Sequence, residues 1–509
     1  MPRERLLLIL VALVAISALI TPLQRELYVG DETKYSQIIR EMRAGGSFLF
    51  PPLHGKPFTH KPPVHFWMID ALTYPLGTYS IWPYVIPSIL AFVAMLWLMW
   101  RMGGPLAAFI CGTALMIWGS AQTARMDVSF TALLVFAAWR LWLFFDEGQP
   151  RDLMLCGIAT GIATLVKGPM APVIIVALFI FERIRRRSAP RANYVPAIAA
   201  MIIIPLLWFV PAMMAGGDEY TREVVVKQTA GRAVGAWVHK AAPWFYVTHA
   251  PGDLFPWFFL AVVALIAAYK RRDERAKFCV SWILAVLVPY SLLSSKLDIY
   301  MMAMIPPVAL IVARFAGHGA DDTWSRWGWR ANILTLGILA GIGAAGLIVS
   351  PAQIKGPEAA LASDPRVRML FWILAGAGVI ALVIAIRSRR LLTSTLLVGA
   401  VPLVAFVYAA IALIPIANEL ASTRRFIAAI EKQRVAPELV GVYFMPHIWA
   451  RGMDPALERV KTIEVSSAEL HEVIVTSRRR SSDIAAHLGG YRKVDEFRMI
   501  GKWFDVYRR

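Results

Sequence analysis

Residues 391–417 read LLTSTLLVGAVPLVAFVYAAIALIPIA and contain no charged side chain. A run of this length can cross a bilayer as a helix, because about 20 apolar residues span the hydrocarbon core of about 30 Å. Similar runs occur at 6–23, 195–213 and 254–269. These runs predict a polytopic α-helical membrane protein.

The composition of the 509-residue chain agrees with this prediction. Hydrophobic residues make up 58% of the sequence, charged residues make up only 17%, and the mean hydropathy is +0.57. Soluble domains contain about 25% charged residues, so the composition excludes a soluble globular protein. The first apolar run follows Arg3 and Arg5 but lacks a small-residue cleavage site, and it is predicted to be a retained helix.

The net charge of +19 is concentrated in short loops between the apolar runs. Basic clusters at 183–187, 270–277 and 387–390 are typical of cytoplasmic loops. Counting about thirteen spans from a cytoplasmic N-terminus places all three clusters in the cytoplasm and the chain after Asn418 outside. We therefore expect a bacterial inner-membrane protein with a periplasmic C-terminal domain, and no nucleic-acid partner.

The expected domains are a transmembrane domain at 1–417, with juxtamembrane loops at 24–80 and 214–252, and a small α/β domain at 418–509. Within the α/β domain, β-like runs at 439–444 and 473–475 are separated by a helical stretch that Ser482 can cap. The least regular predicted spans are 153–166 and 169–182, which can also form one broken helix.

A polar motif, Asp31-Glu32-Thr33-Lys34-Tyr35, follows the first span directly. If residues 31–43 are helical, Asp31, Lys34 and Tyr35 share one face. A carboxylate at the membrane surface can act as a general base on an acceptor hydroxyl. Alternatively, the two acidic residues only place negative charge on the first turn of a helix, where the dipole favours it.

Four further clusters on the same predicted side combine cations with aromatic, hydroxyl or carboxylate groups. They are His60-Lys61-Pro62-Pro63 with His65, Arg125-Met126-Asp127 with Lys167-Gly168-Pro169, Lys227-Gln228 with Arg232 and His239, and Ser295-Lys296 with Tyr300. Each is ambiguous alone, since Lys61 can bind a phosphate or snorkel and Asp127 can be functional or only pair with Arg125. Together they form a set suited to a departing lipid phosphate.

The ordered motifs Asp31-Glu32-Thr33-Lys34-Tyr35, Lys61-Pro62-Pro63, Arg125-Met126-Asp127, Lys167-Gly168-Pro169 and Ser295-Lys296 up to Tyr300 resemble a known family. It comprises the polyprenyl-phosphate-sugar-dependent glycosyltransferases of the C-type membrane fold, in particular the lipid A aminoarabinose transferases and protein mannosyltransferases. The resemblance implies sugar transfer from a polyprenyl-phosphate donor to lipid A, another envelope glycan or lipid, or a protein, with inversion of the anomeric carbon.

The resemblance also implies roles for individual residues, with Asp31 as the base or acceptor-orienting carboxylate and Asp127 as a second acidic residue. The candidate catalytic residues are Asp31, Glu32 and Asp127. The candidate phosphate ligands are Lys34, Lys61, Arg232, Lys296 and Tyr300. The candidate residues that line the site or contact the acceptor are Tyr35, His60, Arg125, Lys167 and His239.

A divalent metal stays an open question at this stage. The family often has a glutamate before the Lys-Pro motif, where this chain has His60, and an acidic or histidine residue shortly before the later arginine, where it has Lys227 or Gln228. His60, His65 and His239 offer a different ligand set, although a lone interfacial histidine more often only forms hydrogen bonds. We assign no cofactor.

An alternative function is a transporter or flippase for a lipid-linked sugar. Transporters place ionisable residues near the membrane midplane on broken helices. Here the predicted spans are nearly free of charge and the polar motifs gather on one face. This distribution favours an interfacial enzyme.

Overall fold

The computed structural model describes residues 2–53, 55–187, 189–224, 241–318, 322–349, 358–443, 460–463, 471–499 and 501–509. These residues are mainly helical. The helices are α1 (Pro2–Ile20), α2 (Asp31–Arg43), α3 (Val64–Leu76), α4 (Trp82–Gly112), α5 (Leu115–Ala121), α6 (Met126–Glu147), α7 (Pro150–Lys167), α8 (Met170–Arg186), α9 (Val195–Arg222), α10 (Phe245–Asp253), α11 (Phe258–Arg271), α12 (Glu274–Leu292), α13 (Ile305–Gly317), α14 (Thr323–Ile348), α15 (Glu358–Ser363), α16 (Pro365–Ser388), α17 (Leu391–Ala412), α18 (Ile414–Ala421), α19 (Arg424–Glu431) and α20 (Ser481–Ile484). The strands are β1 (Pro52–Leu53), β2 (Lys56–Pro57), β3 (Val440–Tyr443), β4 (Lys461–Ile463), β5 (Val473–Ser477), β6 (Arg492–Met499) and β7 (Lys502–Arg508).

Nine helices in the described ranges are long and apolar enough to cross a membrane. They are α1, α4, α6, α9, α12, α13 with the 3-10 turn Asp298–Met304 before it, α14, α16 and α17. Helices α10 and α11 meet at 114° and would provide a tenth span if they cross together. The predicted multi-pass helical fold is therefore confirmed, while the count of about thirteen spans stays a prediction.

Two of the apolar segments are interrupted by short breaks at glycine residues. Helices α7 and α8 cover the predicted spans 153–166 and 169–182 and are separated at Gly168, whose φ of 116° favours glycine. Residues 105–122 are divided between the end of α4, beyond a break at Gly104, and α5.

The chain folds into two compact units. The bundle unit contains Met1–Ile20, Thr59–Val64 and Ser88–Ala412, and the sheet unit contains Thr21–Phe58, His65–Pro87 and Leu413–Arg509. In the sheet unit, Val29 packs against the core of the C-terminal strands, and its N–H donates to the carbonyl of Ala421. Tertiary packing thus joins chain segments almost 400 residues apart.

Small residues allow close helix packing inside the bundle unit. Gly157 and Gly161 lie four residues apart on α7, and both face α9. A Cβ atom at Gly161 would lie 2.9 Å from the carbonyl oxygen of Ala200. Membrane helices that lack side chains at such positions approach closely and gain van der Waals contact.

Ion pairs join several helix ends at one end of the bundle unit. Arg185 of α8 contacts Glu274 at the start of α12 at 2.5 Å, and Arg186 contacts Asp146 near the end of α6 at 2.8 Å. We call the charged residues of 182–187 and 270–277, with their partner Asp146, the charge belt. The structure thus brings two of the basic loops, 183–187 and 270–277, to the same end of the bundle.

Asp127 lies at the opposite end of α6 from the charge belt. It is in the first turn of the helix, 19 residues before Asp146, which corresponds to about 29 Å along an α-helix. This separation matches the thickness of a hydrocarbon core. One candidate site residue and the basic loops therefore occupy opposite ends of one span.

The sheet unit contains a five-stranded sheet in the order β4-β3-β5-β7-β6. Strands β4, β3 and β5 are parallel, and β7 and β6 pair antiparallel to their neighbours. Val440 and Val473 face a core that includes Phe426 of α19, while Ile474 packs with Ile484 on the other face. Apolar side chains on both faces explain why β5 begins with the continuous apolar run Val-Ile-Val.

The predicted α/β character of the C-terminal region is therefore confirmed. Strands form at Val440–Tyr443 and Val473–Ser477, where β-like runs were predicted, and residue 444 lies outside the described residues. The prediction that Ser482 caps the following helix is wrong, because α20 begins at Ser481 with Arg480 before it. Ser482 lies inside the first turn, where its hydroxyl contacts Asp483.

Candidate functional site

The candidate site of the bundle unit is built around a buried ion pair. The Lys167 ammonium lies 2.5 Å from an oxygen of the Asp127 carboxylate, and each side chain is 9% exposed. Asp127 is in the first turn of α6, and Lys167 is the last residue of α7. A carboxylate at a helix N-terminus and a cation at a helix C-terminus each complement the helix dipole.

Two further cations act on the same carboxylate. Lys61 and Arg125 lie close enough to the Asp127 carboxylate to interact with its charge. The backbone of Arg125 is fixed by Ser88, whose hydroxyl donates to the Arg125 carbonyl and accepts from its N–H, both at 3.1 Å. Three cations around one carboxylate leave the cluster with a positive charge. Such a cluster can bind an additional anion.

Aromatic side chains form one wall of this cluster. The Lys167 ammonium lies 4.9 Å from the ring centroid of Tyr300 and 5.2 Å from that of Phe130. Tyr300 stacks on Tyr290 at 4.8 Å, and the ring of Tyr246 follows at 6.5 Å from Tyr290. A cation over aromatic faces is attracted by the negative faces of the rings.

Tyr290, Phe130 and Ser88 were not among the sequence-predicted site residues. Tyr290 is buried within α12 in a segment that is otherwise apolar. A phenol inside an apolar run is the sequence signal that would have identified it, because a buried hydroxyl usually serves a polar partner. Phe130 and Ser88 have no such signal in the sequence.

Lys296 lies in the bundle unit but is engaged locally. Lys296 is only 4% exposed, and its ammonium donates a hydrogen bond to the backbone carbonyl of Leu293. The local bond holds the loop between α12 and the 3-10 turn that carries Tyr300. Lys296 therefore has an observed role in the position of this loop.

The motif around Asp31 forms the start of α2 in the sheet unit. Residues 31–43 form the helix on which the shared face depends, and Gly30 precedes it with a φ of 139°, a conformation that glycine adopts without strain. Lys34 contacts Asp31 at 3.0 Å, and the Asp31 side chain is 44% exposed. Asp31 is thus an accessible carboxylate with a cation beside it.

Two other members of this motif, Glu32 and Tyr35, are buried in the sheet unit. Glu32 is buried and pairs with buried Arg25, and it also accepts from the N–H of Tyr28 at 2.8 Å. Tyr35 is buried, with its ring centroid 5.2 Å from Phe66 and 5.7 Å from His65. These contacts fix the start of α2 and leave Asp31 as its exposed carboxylate.

The structure therefore divides the predicted site residues between the two units. The bundle unit contains Lys61, Arg125, Asp127, Lys167, Lys296, Tyr300 and the exposed His60. The sheet unit contains Asp31, Glu32, Lys34 and Tyr35. Arg232 and His239 lie outside the described residues, as do Lys227 and Gln228. Across the ranges that the structure describes, no three His, Cys, Asp or Glu side chains are grouped as metal ligands.

Comparison with known proteins gives consistent matches. Residues 60–209 match the family model described as dolichyl-phosphate-mannose-protein mannosyltransferase. The chain is 26% identical over 311 residues to the undecaprenyl phosphate-alpha-4-amino-4-deoxy-L-arabinose arabinosyl transferase of Serratia proteamaculans, covering 57% of this chain and 56% of the relative. It is 25% identical over 348 residues to the enzyme of the same name from Edwardsiella ictaluri, covering 65% and 63%.

The alignments to these relatives thus span between about half and two thirds of their length. The fold comparison extends further. The crystal structure of ArnT from Cupriavidus metallidurans bound to undecaprenyl phosphate matches 98% of this chain and 97% of its own, with a TM-score of 0.75 and 18% sequence identity. The chain therefore has the C-type membrane fold of ArnT, and its predicted resemblance to the aminoarabinose transferases and protein mannosyltransferases is confirmed.

Proposed function

We propose that the protein is a glycosyltransferase that moves a sugar from a polyprenyl-phosphate donor to an acceptor at the extracytoplasmic face. The observation that carries this proposal is the cluster of Lys61, Arg125 and Lys167 around Asp127 at one end of the bundle unit. Its surplus positive charge suits a phosphate, and Tyr300 beside it offers a hydroxyl donor.

In this proposal the bundle unit binds the donor phosphate. Lys61 and Lys167 provide ammonium donors, and Tyr300 donates from its hydroxyl. Asp127 holds Lys167 in position, so that a mobile lysine side chain becomes a fixed donor. Arg232 is proposed as a further phosphate ligand on the family resemblance alone, and Lys296 acts on Tyr300 through the loop before it.

Asp31 is the proposed general base. An acceptor hydroxyl attacks the anomeric carbon of the sugar and passes its proton to Asp31. The bond between that carbon and the phosphate oxygen breaks, and its electron pair stays on the polyprenyl phosphate, where the cations stabilise the charge. A single displacement of this kind inverts the anomeric configuration. Glu32 stabilises the fold around α2 through its buried pair with Arg25.

The proposed orientation follows from charge. The basic loops of the charge belt lie in the cytoplasm by the positive-inside rule, which directs the Asp127 cluster to the periplasmic side of a bacterial inner membrane. The N-terminus is then cytoplasmic and the C-terminal sheet is periplasmic. The acceptor is lipid A, another envelope glycan or lipid, or a protein.

The test is release of polyprenyl phosphate by the purified full-length protein. The donor named for the relatives, undecaprenyl phosphate-4-amino-4-deoxy-L-arabinose, is the first to supply, with lipid A as acceptor, followed by other undecaprenyl-phosphate sugars. The proposal requires sugar-dependent release of undecaprenyl phosphate that is lost in Lys167→Ala and retained in Lys56→Ala, an exposed lysine in β2. Movement of intact donor between the leaflets of vesicles without cleavage would assign the rival function of flippase.

A further inference from the structure

A groove opens on the bundle unit at the end that carries the charge belt, away from the Asp127 cluster. Its volume is about 320 Å³, and its walls come from α8, α11 and α12. Phe181, Ile184 and Leu284 supply apolar wall, while Arg185 and Lys277 line it with charge. Its lining therefore combines a lipid-like interior with cations.

The walls of the groove face outward from the bundle. Ile184 is 69% exposed, Tyr269 is 78% exposed and Leu284 is 41% exposed. In a helix that crosses a membrane, exposed apolar side chains of this kind face hydrocarbon chains. Of the three helices that form the recess, α12 is one of the candidate spans, and α11 would cross together with α10. A recess with such apolar walls can hold an acyl chain, which packs against them.

The charge around the groove favours an anionic partner. Segments 182–187 and 270–277 carry nine Arg and Lys residues against three Asp and Glu residues. Glu182 and Glu274 neutralise Arg185, and Glu274 also contacts Lys277 at 2.6 Å. These pairs fix the cations of the lining in place, and several neighbouring cations remain in excess.

Two of the excess cations lie within three residues after the groove residue Tyr269. Lys270 and Arg272 are exposed and form no ion pair within the described residues. Arg272 is the C-terminal cap of α11 and has a left-handed conformation with a φ of 54°, two residues before α12 begins. Cations at the boundary of a membrane helix attract anionic headgroups, each with about 1 kcal/mol near the surface.

We propose that the groove between α8, α11 and α12 binds an acyl chain of an anionic diacyl phospholipid, whose phosphate is held by Lys270 and Arg272. The occupant is a phospholipid of the leaflet at the charge belt. The site is separate from the sugar-transfer site, because the two lie at opposite ends of the spans. It stands whether or not the proposed transferase function is correct.

Native mass spectrometry of the full-length protein tests the proposal, with phosphatidylglycerol and phosphatidylcholine of the same chain length as probes. Leu284→Trp fills the groove and should abolish the preference for phosphatidylglycerol. Val262→Trp is the matched control, since Val262 is an exposed residue of α11 that does not line the groove. It should retain the preference. Each variant is first compared with the parent for its thermal unfolding in the same detergent.

A second pair of variants tests the charge. Lys270→Gln with Arg272→Gln should lower phosphatidylglycerol binding by about fivefold for each lost cation. Arg389→Gln with Arg390→Gln removes two cations from the loop after α16 and should change binding by less than about twofold. Equal binding of the two phospholipids by the parent, or an equal loss in both double variants, would overturn the proposal. So would displacement of phosphatidylglycerol by equimolar undecaprenyl phosphate, which would assign the groove to a donor chain.

Discussion

The Lys167 ammonium and the Asp127 carboxylate form a contact of 2.5 Å between the end of α7 and the start of α6. Both side chains are nearly buried, and Tyr300 lies beside the ammonium. The pair joins two helices of the bundle and holds a lysine at the proposed phosphate site. It therefore combines a structural and a functional role that variants can separate.

Replacement of one partner of this pair should destabilise the fold. Lys167→Met leaves the Asp127 carboxylate without its closest cation, and removal of one partner from a buried pair costs about 3–5 kcal/mol. Lys167→Met combined with Asp127→Leu removes both charges and should restore most of the stability, but sugar transfer should remain lost. Thermal unfolding in detergent and release of polyprenyl phosphate report the two effects. Transfer that recovers with stability in the double variant would contradict the role of Lys167 at the phosphate.

Lys61 should contribute to donor affinity more than to folding. Lys61→Ala removes a charged donor and should raise the KM for the polyprenyl-phosphate sugar by about ten- to a hundredfold, since hydrogen bonds to charged groups contribute about 1.5–3 kcal/mol. Lys56→Ala, in strand β2 five residues earlier in the sequence, removes the same charge at an exposed position and should leave the KM unchanged. The same rise in KM in both variants would show that Lys61 acts only through its contribution to the net charge.

Asp31 should act in the chemical step. Asp31→Asn keeps the size of the side chain and its exposed position at the start of α2 but removes the base, so kcat should fall by about a hundredfold to ten-thousandfold. Donor affinity and thermal unfolding should stay near those of the parent. Single-turnover kinetics with a saturating donor measures the step, and a normal rate in this variant would exclude Asp31 as the base.

Glu32 should behave differently from its neighbour. Glu32→Gln leaves the buried Arg25 guanidinium without its counter-charge and should lower the free energy of unfolding by about 3 kcal/mol. Glu41→Gln, at a less buried position near the end of the same helix, should lower it by less than about 1 kcal/mol. Transfer per folded molecule should be near normal in both. A stable Glu32→Gln variant without activity would show that Glu32 acts in catalysis.

The C-terminal sheet should lose stability in acid through Asp505. Burial acts to raise the pKa of this carboxyl, but hydrogen bonds from Arg478 at 2.8 Å and Lys493 at 2.9 Å outweigh it and hold the pKa below its usual value. A lowered pKa in the folded state stabilises the fold above the unfolded value of about 3.9, and that stability is lost as the pH falls through the folded value.

Hydrogen exchange of the full-length protein between pH 6 and pH 3 measures this effect. Amides of β5 and β7, which pair beside Asp505, should lose protection at the acidic end of the range. Asp505→Asn should reduce protection at pH 6 and make it less dependent on pH. An unchanged pH profile in the variant would remove Asp505 as the cause.

Local sequence patterns predicted several parts of the molecule that the structure confirms. The strands at 440–443 and 473–477 and the long apolar helices each depend on residues that are neighbours in sequence. The ion-pair partners of individual side chains were less predictable from the sequence. Arg125 was considered as the partner of Asp127, but the contact is made by Lys167, forty residues later in the chain.

By itself, the sequence determined that this chain is a membrane protein with many helices, and where its charges concentrate. An apolar segment can span a bilayer, and a basic loop can remain outside it, whatever the rest of the chain does. Both properties can therefore be predicted from local sequence. Only the tertiary structure decided that Glu32 pairs with Arg25, that Lys167 and Tyr300 meet at Asp127, and that three helices leave a groove beside the charge belt. These features depend on how distant segments pack, and packing selects among several partners that the same sequence would allow.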